Sequence, residues 1–151
     1  MSLGHHVGAH LGRGIHIIPL RDLLAEISEG SLSDAVVFLW QPRSDSSTRH
    51  VSTFREIVLG TPLVVFVAGP GSENSFDLLL EALATPNPMP QIMTRHYEGS
   101  LVECIEELTQ ATWPSECRFD GWKRYLLVSD AEELDAVHRA SIRVLGEERD
   151  S

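Results

Sequence analysis

The densest cluster of reactive side chains in this sequence is Thr94-Arg95-His96-Tyr97-Glu98. An imidazole changes charge near neutral pH, so His96 has the chemistry of a general base. Glu98, two positions on, can orient that ring, and Arg95 can hold an anion. Asp130, which ends a later apolar run, is a second carboxylate that folding could bring to His96. The plainer alternative is that these groups bond to neighbouring backbone and helix ends. A second candidate is Gly69-Pro70-Gly71-Ser72-Glu73-Asn74, set between an apolar run and a helical pattern. A tight turn there gathers backbone N–H groups at a helix N-terminus, where they can hold an anion or a polar ligand. Gly69, Gly71, Ser72 and Asn74 are its candidate contacts. Asn74, however, stands where a dinucleotide fingerprint needs its third glycine. Pro70 also removes one N–H, and Glu73 repels phosphate.

Other chemistries lack their motifs. Neither Gly-x-Ser-x-Gly nor Gly-Lys-Ser/Thr occurs, which leaves no nucleophile elbow and no Walker loop. Residues 1–14 hold a short histidine tract, but a loose terminus fixes no coordination geometry, so no metal site and no cofactor are expected. Cys104 falls in a helical pattern and reads as core. Cys117 sits beside Arg118, which favours a thiolate, yet no histidine is near it in sequence. Trp40, Trp113 and Trp122 have the surface to line a stacking pocket, although large aromatics at strand ends more often belong to the core or to an interface.

These residues need elements to position them. Gly14–Ile18, Ala35–Trp40, Leu63–Ala68, Gln91–Thr94 and Arg124–Val128 are apolar or β-branched runs that read as strands. Between and after them lie helical stripes: Leu20/Leu23/Leu24/Ile27, Val51/Phe54/Ile57/Val58, Phe76/Leu79/Leu80/Leu83, Leu101/Ile105/Leu108 and Leu134/Val137/Ala140/Val144. Thr48 can cap the second helix, and Ser72 or Ser75 the third. Ser100–Glu103 and Ser129–Glu132 have capping-box spacing. Thr85–Pro90 carries three prolines and reads as a loop. Strands alternating with helices specify a three-layer α/β/α sandwich around a mostly parallel five-stranded sheet, Rossmann-like or flavodoxin-like, whose strand order the pattern leaves open. The expected division is a flexible tail over 1–14, one α/β domain over 15–146 and a charged tail over 147–151. In such sheets ligands bind outside the carboxyl ends of the strands. Trp40–Arg43, Gly69–Asn74, Thr94–Glu98 and Ser129–Asp130 should then share one rim.

The segment Met93–Leu101, with Phe66-Val67-Ala68-Gly69, resembles a family of small bacterial domains of unknown function. In that family a strand ends in Thr-Trp-His and a leucine follows the histidine by five positions. Thr94, His96 and Leu101 match, while Arg95 replaces the tryptophan. The resemblance implies a shared fold and a role for Thr94 and His96, but no reaction.

At 151 residues the chain suits one domain. Its net charge of −10 repels phosphate backbones and anionic lipid, which argues against nucleic-acid and membrane partners. Two unpaired-looking cysteines, no long apolar run and no leader pattern point to the cytoplasm. The expectation is a binding module, with a small polar ligand or a protein partner, or a homodimer, at the carboxyl ends of the strands. The alternatives are an enzyme using His96 with Glu98 or Asp130, and a nucleotide-binding domain using the Gly69–Gly71 turn.

Overall fold

The computed structural model describes residues 5–42, 51–84 and 92–145. The strands are β1 (His5–His10), β2 (Arg13–Pro19), β3 (Ala35–Trp40), β4 (Val64–Ala68), β5 (Met93–Tyr97) and β6 (Arg124–Ser129). The helices are α1 (Leu20–Glu26), α2 (Val51–Leu59), α3 (Ser72–Leu83), α4 (Leu101–Ala111) and α5 (Leu134–Leu145), with 3-10 turns at Glu116–Gly121 and Ala131–Glu133. They form one six-stranded sheet in the order β1-β2-β6-β3-β4-β5. The five strands from β2 to β6 are parallel, and β1 adds antiparallel to β2.

Every residue of β3 and β4 is buried, because both faces of the sheet are covered. Alternation along the strands divides the core in two. Val36, Phe38, Val64, Phe66, Tyr125 and Leu127 meet α4 and α5 on one face. Val37, Leu39, Val65, Val67, Leu126 and Val128 meet α1, α2 and α3 on the other. The result is the α/β/α sandwich that the alternation of elements implies, with β6 inserted between β2 and β3. Among the described residues no helix is long and apolar enough to cross a membrane.

Several local features differ from the sequence expectation. Residues 5–10, placed there in a flexible tail, are an edge strand. Leu11 (φ 51°) and Gly12 (φ 80°) both take the left-handed conformation that a tight two-residue hairpin requires. Arg95, His96 and Tyr97 lie inside β5 rather than in a loop after a strand ending at Thr94, since β5 keeps pairing with β4 as far as Tyr97. Helix α3 starts at Gly71 without a side-chain cap, so neither Ser72 nor Ser75 fills that part. The box at Ser100 and Glu103 is formed in both directions. That at Ser129 is not, because a 3-10 turn intervenes before α5 and the Ser129 hydroxyl donates to Asp130 O. Arg43, the Thr48 cap, the Thr85–Pro90 loop and the 147–151 tail lie outside the described residues.

Candidate functional site

At the carboxyl ends of the strands the Gly69-Pro70-Gly71 turn is held from below by Gln41. Gln41 is 1% exposed. Its N–H donates to Ala68 O (2.7 Å), its carbonyl accepts from Gly71 N (3.1 Å) and its Oε1 accepts from Ser75 Oγ (3.2 Å). The close approach requires glycine: at Gly69 (φ 102°) a Cβ would stand 2.4 Å from Gln41 O. The donors an anion would need are already engaged. Gly69 N–H goes to Tyr97 O (2.9 Å), Gly71 N–H to Gln41 O and Ser72 N–H back to Gly69 O (3.0 Å). Glu73 and Asn74 lie exposed in the first turn of α3. Ser72 Oγ is buried and has no hydrogen-bond partner among the described residues.

His96 and Asp130 do not converge. His96 projects from β5 toward α3, where its ring meets Phe76 at 4.6 Å. It makes no hydrogen bond or ion pair with Glu98 or Asp130 among the described residues. Asp130 follows β6, and both β3 and β4 stand between β6 and β5. Three inter-strand steps separate the two positions by roughly 14 Å of sheet. Arg95 leaves β5 on the face opposite His96. It donates to Glu107 Oε2 and to Ala111 O, each at 2.6 Å, and so fastens the last turn of α4 to the sheet. Thr94 is half-buried beside it in β5. Trp40 is core, its indole N–H donating to Glu133 Oε1 at 3.0 Å. Among the described residues no group of three His, Cys, Asp or Glu side chains could hold a metal ion. Cys104 is also spoken for. Burial pushes its thiol up to about 11, and it donates to Tyr97 O and Gly99 O.

The opposite end of the sheet has a different character. The large apolar side chains exposed among the described residues are Leu11, Leu59, Leu80, Met93, Trp113, Phe119 and Ile142. Leu11 is in the turn before β2, and Met93 opens β5. Leu59, Leu80 and Ile142 lie in the last turns of α2, α3 and α5, while Trp113 and Phe119 lie between α4 and β6. Helices that connect parallel strands run back along the sheet, so all of these positions sit at its amino end.

Three of them line one groove of about 550 Å³: Met93 (40% exposed), Trp113 (57%) and Phe119 (42%). Its floor is Val64 and its walls are Arg95, the end of α4 at Ala111 and Thr112, and the Pro114–Glu116 segment. The 112–123 segment is not a slack tether. Arg118 donates to Thr61 O (2.8 Å) and Pro62 O (3.0 Å). Burial lowers the Arg118 pKa. Phe119 packs edge-on against Trp122, and the Arg13 guanidinium stacks over Trp122 at 3.9 Å. The sequence signal for this site was the aromatic content of a segment that otherwise reads as a connection.

No protein-family model matches the chain, and no curated protein matches its sequence.

Proposed function

We propose that this protein is a protein-interaction module whose contact surface is the amino end of its sheet, centred on the groove between β5, the end of α4 and Trp113–Phe119. The observation that carries the reading is the concentration of exposed large apolar side chains at that one end, three of them in a single groove. Monomeric proteins scatter such residues, while clustered aromatics and methionine mark contact surfaces. A protein partner suits the groove better than a small ligand. Trp113 stands out into solvent rather than enclosing a cavity, and the strongest polar group in the wall, Arg95, already donates to Glu107 and Ala111. This moves the surface from the carboxyl ends of the strands, where the sequence pattern put it, to their amino ends.

Neither alternative gains an observation of this kind. Acid–base catalysis through His96 needs a partner, and Asp130 is roughly 14 Å of sheet away. A nucleotide site at Gly69–Gly71 needs N–H groups that now serve neighbouring carbonyls. The resemblance through Thr94, His96 and Leu101 adds a fold but no reaction.

A photo-crosslinking amino acid placed at position 113 should capture a discrete protein in cells, and one placed at the exposed position 135, in the first turn of α5 after β6, should not. With that partner purified, Trp113→Ser combined with Phe119→Ser should weaken binding at least tenfold while the circular dichroism is unchanged. Capture from position 135 alone, or unchanged affinity in the double variant, overturns the reading.

A further inference from the structure

Among the described residues strand β5 ends the sheet on one side, and its pairing with β4 determines where its backbone groups point. Met93 N–H donates to Leu63 O (3.1 Å), and Tyr97 O accepts from Gly69 N–H (2.9 Å). In a parallel pair, residues alternate between presenting both backbone groups to one neighbour and both to the other side. Met93, Arg95 and Tyr97 therefore serve β4. Thr94 and His96 direct their N–H and C=O groups outward, where no strand pairs with them among the described residues. The opposite edge, β1, has an irregularity between His6 and Gly8, whereas β5 stays in register along its whole length. Unbroken edges with free donors and acceptors are templates for another strand.

The surroundings of this edge are acidic. Helix α3, which packs against β5 through the Phe76–His96 contact, carries Glu73, Asp77 and Glu81 at a spacing of four on its exposed side. Helix α4, on the other face, carries Glu103, Glu106 and Glu107, and Glu98 lies in the connection between β5 and α4. Neither helix has a Lys or Arg. Arg95, the one basic residue of β5, is neutralised by Glu107 at 2.6 Å. The groove opens beside the first half of the same strand, with Met93 and Arg95 in its wall.

We propose that β5 accepts an extended, lysine- or arginine-rich segment of a partner protein as a seventh strand, with apolar side chains on one face of that segment entering the groove. The proposal rests on the interaction-module reading and specifies its partner. Outward groups of Thr94 and His96 supply main-chain hydrogen bonds, the groove selects apolar residues at alternate positions, and the acidic helices select positive charge between them. A second copy of this chain fits less well, since it brings the same net charge of −10 and the same acidic flanks.

The probe is an acetylated, amidated ten-residue peptide alternating lysine with valine or phenylalanine, titrated into the 15N-labelled full chain at 50 mM salt. Expected are shifts of the Thr94 and His96 amides and of the Trp113 indole, with at least tenfold weaker binding for the glutamate-for-lysine peptide. N-methylation of alternate peptide residues should weaken one of the two alternating sets at least tenfold, which leaves the protein untouched. Thr94→Pro should do likewise, and because that N–H points outward no bond to β4 is lost. No β5 shift up to millimolar peptide overturns the proposal, as does equal binding of the glutamate peptide. Binding that Trp113→Ser weakens but neither N-methylation nor Thr94→Pro affects overturns strand addition and leaves the groove reading standing. A dimer in sedimentation that Thr94→Pro dissolves replaces the basic segment with a second copy and overturns the proposal.

Discussion

At Gly69 the backbone takes φ 102° while the Gln41 carbonyl lies where a side chain would begin. Gly69→Ala therefore meets both a conformational and a steric penalty, and a loss of about 2–4 kcal/mol in urea unfolding is the expected result. The Gly-Pro-Gly turn is visible in the sequence, but its occupation is not: a string of residues cannot show that Gln41 and Tyr97 take its hydrogen bonds. The two thiols also separate at this scale. Cys117 is exposed and should react with a thiol reagent at pH 8 at once, whereas Cys104 should react only on unfolding. Burial holds the Cys104 thiol up at about 11, against 9.0 for an ordinary thiol. Below pH 9 both states keep the proton and the full stability is present. As pH climbs from about 9 to about 11 the unfolded chain ionises first, so stability falls. A urea series across that range should show a decline on the order of 1–2 kcal/mol that Cys104→Ala flattens.

Elements differ in how much of their structure is local. The Ser100 hydroxyl accepts from Glu103 N–H, and Glu103 Oε1 accepts from Ser100 N–H. Ser100→Ala should cost about 1 kcal/mol in thermal or urea unfolding. Ser129 has the same spacing to Glu132 but no cap to lose, so Ser129→Ala removes only the hydroxyl's bond to Asp130 O, about 0.5–1 kcal/mol, and leaves the start of α5 unchanged. The two sequences look alike, and only the second meets a 3-10 turn between strand and helix. Strand β5 makes the same point about boundaries. Arg95-His96-Tyr97 is polar enough to read as a loop after the strand, because an edge strand under helices tolerates polar residues on both faces. Its extension by β4 turns His96 toward Phe76 and Arg95 toward α4, which divides the cluster that the sequence holds together.

Across the whole molecule, charge and apolar surface are arranged at different places. The net charge of −10 falls heavily on α3 and α4, neither of which carries a basic residue, while the exposed apolar side chains gather at the amino end of the sheet. Self-repulsion of that size should be relieved by salt. The melting temperature should rise between 10 and 200 mM sodium chloride, and an unchanged or lower value would show that attractive pairs such as Arg95–Glu107 and Arg124–Asp34 outweigh the repulsion.

The sequence by itself determined the alternation of strands and helices, the two faces of the core and the α/β class. These follow from hydrophobic periodicity, from Gly and Pro punctuation and from chain length, all of which act locally. Only the tertiary structure decided that β6 enters between β2 and β3, and with it that Asp130 and His96 stand apart. It likewise decided that the aromatic 112–123 segment meets the opening of β5 to form a groove. Both outcomes depend on which distant strands pair, and apolar runs as alike as Ala35–Trp40, Val64–Ala68 and Arg124–Ser129 carry no mark of their neighbours.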